Sequence, residues 1–145
     1  MATLRAGAIP FYIDENGEVQ MFFMKPSDPM YGGPDFQVAK GKVDENESFF
    51  DAGIREATEE LGLKTHNIED VMRLGHYLHT ITMFVAKITD PKDFNDPDYE
   101  TGETRWMTVR EFYSDGGRDL HMDMVQDAYS LIRKHYFTED GVPIR

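Results

Sequence analysis

The sequence predicts an α/β fold: a mixed β-sheet sandwiched between helices. Three observations predict it. Strand-like segments come in pairs at the start and again past the middle. A helix with signals at both ends lies between the pairs. A second helix with one apolar face follows near the end. A length of 145 residues suits one domain covering 1-145, because single cores of roughly 100–200 residues are the norm.

The elements follow in order. Arg5 to Ile13 mixes small and aromatic apolar residues and reads as a strand. Asp14-Glu15-Asn16-Gly17 is a turn signal, with Asn-Gly able to supply positive φ. Val19 to Met24 reads as the returning strand of a hairpin. Lys25 to Asp35 carries three Pro and two Gly and reads as a loop. Phe36 to Ala39 is a short strand candidate. Ser48 to Leu61 reads as a helix. Ser48 can cap it, with Asp51 three residues on in a capping-box arrangement, and Gly62 can end it in the left-handed conformation with Leu63 folding back. Phe50, Ile54, Ala57 and Leu61 form its expected apolar stripe. Val71 to Tyr77 and Thr80 to Thr89 are strands, the second rich in β-branched residues. Asp90 to Thr101 is an acidic loop, Arg105 to Val109 a strand, and Val109 to Tyr113 a short helix closed by Gly116-Gly117. Val125, Ala128, Leu131 and Ile132 mark the last helix.

Composition excludes several classes. There is no Cys, so no disulfide scaffold, thiol nucleophile or cysteine metal site exists. No apolar run approaches the roughly 20 residues that span a bilayer. The N-terminus lacks the layout of a secretion signal. A soluble, cytoplasmic protein is the expectation. Fifteen Lys+Arg against 27 Asp+Glu leave a formal charge of −12. That balance disfavours a long nucleic-acid track, which needs clustered cations.

The stretch from Gly41 to Leu63 carries chemistry. On a helix at about 100° per residue, Glu56, Glu59 and Glu60 share one side, apart from the apolar stripe. Arg55 stands four residues before Glu59 and can brace it. Three carboxylates on one face repel one another, and a hard divalent cation turns that repulsion into ligation. Carboxylate oxygens suit Mg²⁺, which shares its remaining positions with waters and substrate phosphates.

This stretch resembles the signature of the Nudix hydrolases, Gly-x5-Glu-x7-Arg-Glu-U-x-Glu-Glu-x-Gly-U, with U a bulky apolar residue. Gly41, Glu47, Arg55, Glu56, Glu59, Glu60, Gly62 and Leu63 fall in register, and Ala57 is small for the first U. Seven fixed positions at roughly 7% background each coincide with a chance on the order of 10⁻⁸ per start point. The resemblance implies a Nudix-type α/β/α sandwich. It also implies water attack on phosphorus in a nucleoside diphosphate linked to another moiety. By the same resemblance Glu56, Glu59 and Glu60 bind Mg²⁺ or Mn²⁺, and Gly41 contributes its carbonyl. Arg55 would orient a glutamate, Glu47 would organise the loop and helix, and one glutamate, with Glu59 the candidate, would act as base. Family members add a later loop acid, for which Glu103 is the first candidate and Glu100 the second.

Phe36-Gln37-Val38-Ala39-Lys40-Gly41 partly resembles the Trp-x-Leu-Pro-Lys-Gly run of Nudix enzymes acting on dinucleoside polyphosphates, diphosphoinositol polyphosphates or 5′-triphosphate RNA. Lys40 and Lys42 are candidate phosphate contacts. Tyr77 and His79 are candidates for base stacking. The Pro of ADP-ribose enzymes is absent near His79, and the charge of −12 argues against inositol polyphosphates. The expected substrate is a small nucleotide, first of all a dinucleoside polyphosphate such as diadenosine tetraphosphate. An RNA 5′ end, ADP-ribose or FAD are alternatives, and an inactive nucleotide-binding module is the non-enzyme alternative. A calcium loop over Asp90 to Glu103 fails for want of a Gly sixth from Asp93, which an EF-hand needs.

Overall fold

The computed structural model describes residues 2–144. Six strands form one mixed sheet: β1 (Arg5–Ile13), β2 (Val19–Pro26), β3 (Ala39–Lys42), β4 (Ile68–Tyr77), β5 (Ile81–Ile88) and β6 (Thr101–Met107). Their order is β4-β5-β1-β2-β6, with β3 also on β1. The helices are α1 (Phe49–Leu61), α2 (Val109–Ser114) and α3 (Met122–Tyr136). Helix α1 covers one face and α3 the other, so the sandwich expected from the sequence is present. No helix among the described residues is long and apolar enough to cross a membrane.

Strand β1 is the organiser. It runs parallel to β5 from Arg5 to Phe11. Its other edge is shared. The first half pairs with β3 through Arg5↔Lys42 to Ala8↔Ala39, and the second half with β2 through Phe11↔Met21 to Ile13↔Val19. The sheet forks there. Ala-Lys-Gly-Lys has little strand propensity of its own, and β3 exists because β1 offers it unpaired backbone groups. Phe36 and Gln37 make only isolated bridges, so the strand expected at Phe36–Ala39 is displaced to Ala39–Lys42.

Two apolar clusters fill the layers. Ile9, Phe11, Phe23, Met83, Val85, Phe112, Val125 and Ile132 pack between the sheet, α2 and α3. Ala8, Phe22, Ala57, Leu61, Leu63 and Phe84 pack beneath α1. Each fully buried large side chain contributes about 1.5–3 kcal/mol.

Helix α1 departs from the predicted stripe. Its buried positions are Ala52, Gly53, Glu56, Ala57, Glu60 and Leu61, while Phe50 is 46% exposed and rests edge-on against Phe84. The helix is rolled so that small residues face the sheet. A Cβ on Gly53 would lie 2.9 Å from the Gly7 carbonyl oxygen. Ser48 caps the first turn through Asp51 N–H at 3.0 Å, which is half of the expected box. Gly62, at φ 77°, ends the helix, and Leu63 N–H returns to the Ala57 carbonyl.

Strand β6 begins at Thr101 rather than Arg105 and stops before Val109, which opens α2. As an edge strand it accepts a polar sequence that alternation does not reveal. The acidic loop before it is fixed by Asn67. The Asn67 amide donates to the carbonyls of Asp90 and Asp93 and accepts from Thr89 and Asp90 N–H.

Gly62 carries two constraints that separate experimentally. A Cβ there would sit 1.7 Å from the Asn95 carbonyl oxygen, whereas Gly116, at φ 99°, has nothing within 4 Å. Gly116→Ala is expected to lose about 1–2 kcal/mol from backbone strain alone. Gly62→Ala is expected to lose on the order of 3 kcal/mol or more. Urea unfolding of both variants checks the order, and equal losses would remove the steric argument.

Candidate active site

The site forms where α1, β3 and the loop after β2 meet. A cleft of about 1040 Å³ opens there. Gly41, Lys40, Lys42, Glu56, Glu59 and Glu60 all line it. Gly41 is required by proximity, since a Cβ at that position would lie 2.2 Å from the Glu56 carboxyl carbon. The helix glutamates therefore press against the β3 backbone.

Glu56 and Glu60 are buried and hydrogen-bonded to each other. Burial raises the pKa of both, and their mutual contact raises that of Glu60 further. Two carboxyls this close hold one proton between them near neutrality. The Lys40 backbone N–H also donates to Glu60. Glu59 is the exposed member, drawn aside by Arg55 at 3.3 Å. Among the described residues no three acids or histidines are gathered closely enough to hold an ion as they stand. The donor set nevertheless fits a hard divalent cation. It offers a buried pair of oxygen ligands that share a proton and an adjacent glutamate exposed enough to swing in.

Arg55 ties the assembly together. Its Nε and Nη2 donate to both oxygens of Glu47 at 2.8 and 3.0 Å. Its Nη1 donates to Glu56 at 3.0 Å, and its Nη2 also reaches the Lys42 carbonyl at 2.9 Å. The forked bonds hold the Glu47 carboxyl down to about 2 and push the guanidinium up. Asp44 N–H donates to Glu47 as well, so the loop before α1 is locked to the helix.

The acidic loop closes the other end of α1. Asp98 N–H, Asn95 N–H and Thr101 Oγ1 donate to the carbonyls of Glu59, Gly62 and Glu60. These contacts satisfy acceptors that a helix end leaves open. Glu100 thereby reaches the cleft wall. Glu103 does not. It stands opposite Lys25 in the β2–β6 ladder and pairs with Lys25 at 4.0 Å and Arg105 at 2.9 Å. Lys25 and Arg105 cover the Phe36 ring on the α3 side, whereas Trp106 packs on the α1 side. Strand alternation thus turns Glu103 away from the helix glutamates.

Two further candidates lie elsewhere. Tyr77 donates its hydroxyl to Asp127 at 2.9 Å and packs against the α3-side core. His79 sits in the β4–β5 turn at φ 67°, where its carbonyl accepts from His76. Their neighbours Leu78 and Thr80 line the cleft instead. Sequence reading also missed Arg5, Arg118 and His121, which line the same cleft. No local pattern marks them, because they are brought in by β1 and the turn before α3.

A family profile described as NUDIX domain matches residues 3–133. The chain belongs to the Nudix family. No curated protein matches it in sequence. Solved structures share the fold at low identity. A C. elegans Ap4A hydrolase, in a binary complex, is 17% identical with a TM-score of 0.70, over 88% of this chain and 97% of its own. RenU, a Nudix hydrolase from M. smegmatis, is 14% identical with a TM-score of 0.72, over 92% and 88%. The NUDIX domain of Shewanella oneidensis NrtR, complexed with ADP ribose, is 13% identical with a TM-score of 0.69, over 91% and 90%. As a Nudix hydrolase the chain is a pyrophosphohydrolase.

His121 gives a pH test of its buried place beside the cleft. It is fully buried, and burial, then Lys40 and Arg118, hold its pKa down to about 3. The unfolded chain takes up this proton below about 6.5 and the folded chain does not until about 3. Stability from this residue is complete above 6.5 and falls by about 1.4 kcal/mol per pH unit on acidification. Between pH 6.5 and 5, His121→Gln is expected to lose about 2 kcal/mol less than the parent chain. Urea midpoints across that range measure it, and parallel pH curves would refute it.

Proposed function

We propose that this Nudix pyrophosphohydrolase cleaves a dinucleoside polyphosphate such as diadenosine tetraphosphate. One observation carries the reading. The buried Glu56–Glu60 pair, with Glu59 beside it, forms one wall of a cleft large enough for a nucleotide and its phosphate chain. Glu56, Glu59, Glu60 and the Gly41 carbonyl would hold Mg²⁺ or Mn²⁺, with Glu100 taking the role first expected of Glu103. Such a cation supplies charge neutralisation at phosphate oxygens and acidifies water.

The protein's own groups do the rest. Glu59 faces the cleft and accepts the proton of the attacking water. Oxygen adds to phosphorus, and the anhydride P–O bond breaks toward the bridging oxygen. Arg55 positions Glu59 and Glu56 through its Nη1. Tyr31 and Tyr99, exposed on two loops of the cleft mouth, offer faces for bases. Ser27 joins those loops, with its hydroxyl donating to the Tyr99 carbonyl and its N–H to that of Glu100.

Products from a substrate panel with Mg²⁺ or Mn²⁺ test this. Diadenosine tetra- and triphosphate are expected to turn over fastest, ahead of ADP-ribose, FAD and 5′-triphosphate RNA. Preference for any of these last three would replace the substrate assignment. Glu59→Gln is expected to lower turnover about 100-fold or more, with the fold intact. Glu100→Gln is expected to lower it at least about tenfold, and Glu103→Gln less than about threefold. The opposite order for the two loop acids would restore Glu103 to the site.

A further inference from the structure

We infer that Gln37 is a positioning residue for Tyr31: its buried side-chain amide seats the loop that carries the ring, and so sets how well the cleft mouth grips a base. The inference rests on the reading of Tyr31 as a face for a base, and adds the group that holds that face in place.

The seat is rigid. Gln37 is only 3% exposed, yet it lines the cleft. Its backbone exchanges two hydrogen bonds with Met24, at 3.0 and 2.7 Å. On the other edge Phe36 N–H donates to the Gly116 carbonyl, and the Phe36 carbonyl accepts from Arg118 N–H, both at 2.8 Å. Lys25 and Arg105 lie over the Phe36 ring. The fold therefore places the Gln37 amide without help from the loop above it.

Its orientation follows from donor chemistry. A guanidinium only donates. Arg118 Nη1 stands 3.1 Å from one end of the amide, so that end is Oε1. The other end is the NH₂ group, which donates to the Tyr31 carbonyl at 3.4 Å. Donors thus run from Arg118 through Gln37 to the loop, and the charged group at the head polarises the amide toward the outer bond. That bond is long, and Gly32 completes the contact. At φ 105°, a Cβ on Gly32 would lie 2.7 Å from Gln37 Oε1 and 2.8 Å from Nε2. The Gly32 backbone therefore rests directly on the amide.

Little else holds this part of the loop. Ser27 anchors its start. Among the described residues the other hydrogen bonds of 28–35 are internal: Met30 and Tyr31 N–H to Asp28, and Gly33 N–H to the Pro29 carbonyl. Tyr31 is 77% exposed, so its own packing does little to place the ring. A base that stacks on a free loop must order it first, whereas a seated loop is ordered before the base arrives. Gln37 accordingly acts on affinity and not on the chemical step, whose glutamates stand on α1.

Kinetics of the full chain with Mg²⁺ and diadenosine tetraphosphate test the seat, with calorimetric Kd in EDTA as a readout free of turnover. Gln37→Met keeps the length of the side chain and removes both hydrogen bonds. It is expected to raise KM and Kd about tenfold and to leave kcat within about twofold, as is Tyr31→Ala. The Tyr31→Ala/Gln37→Met double variant is expected to match Tyr31→Ala within about twofold, because both changes remove one interaction. Gly32→Ala reaches the same contact from the loop side, without entering the core. It is expected to raise KM more than Gly33→Ala, whose φ of 88° carries the strain with nothing within 4 Å. Cooperative urea unfolding establishes that each variant is folded, and Gly32→Ala completes the cycle with Tyr31→Ala should Gln37→Met not fold. Parent affinity in Gln37→Met and Gly32→Ala, with Tyr31→Ala weakened, would overturn the seat and leave the base reading standing. Losses that add fully in the double variant would overturn it as well, since they mark general damage. Parent affinity in Tyr31→Ala would sink the base reading and the seat with it.

Discussion

The close seating of α1 on the forked edge of β1 is the constraint on which the site depends. Ala6 and Ala8 on the strand and Ala52, Gly53 and Ala57 on the helix leave little between the two backbones. Gly53 meets the Gly7 carbonyl, and Gly41 meets the Glu56 carboxyl. A larger residue at any of these places would lift the helix. The glutamates would then move from the β3 backbone toward water, and the shared proton of Glu56 and Glu60 would lose its cause. Ala57, small where the family signature has a bulky residue, belongs to the same close contact.

The cleft gathers charges of both signs. The glutamate wall concentrates negative charge in a buried place and tolerates it by sharing a proton and by the Arg55 fork. The cations lining the same cleft are tolerated by keeping His121 neutral and by the attraction of Glu60 and Glu56 for Lys40. The overall charge of −12 hides this pattern, because most surface acids have no part in it. Composition argues against a broadly basic track and says nothing about where Arg5, Lys40 and Arg118 stand in the fold.

The extent to which the sequence disclosed the site follows from how local each feature is. Glu56, Glu59, Glu60 and Arg55 lie within one helix, so their spacing alone brings them together. Ser48 and Gly62 were equally legible, since a cap is a local hydrogen-bonding problem. The helix face was less so. Ile54, Ala57 and Leu61 pack as the stripe predicts, but Phe50 reads as core and is exposed, because backbone proximity favours Gly53 and Ala52 and no hydrophobicity pattern encodes proximity. Glu103 stands outside the cleft lining for a related reason. Whether an acid on a loop or a strand enters a site depends on strand register. Here the irregularity between Lys25 and Pro26 sets where β6 begins. The place of Tyr77 on the α3 side is likewise not legible locally, because its partner, Asp127, lies fifty positions away.

The acidic loop before β6 shows how composition and role diverge. Asp90 to Glu100 looks like a cation site because it is rich in carboxylates. Its structural work is done by backbone and by uncharged groups. Asn67 anchors its start, and Asp98 N–H, Asn95 N–H and Thr101 Oγ1 cap the end of α1. Asp93 is occupied by Lys64 at 2.7 Å and His66 at 2.8 Å. One member, Glu100, is left at the cleft with its backbone carbonyl tied to Ser27. The loop therefore couples the C-terminal end of the glutamate helix to the loop that carries Tyr31. The same loop thus bonds the end of α1 through Asn95 N–H on the Gly62 carbonyl and the cleft mouth through the Glu100 carbonyl under Ser27 N–H.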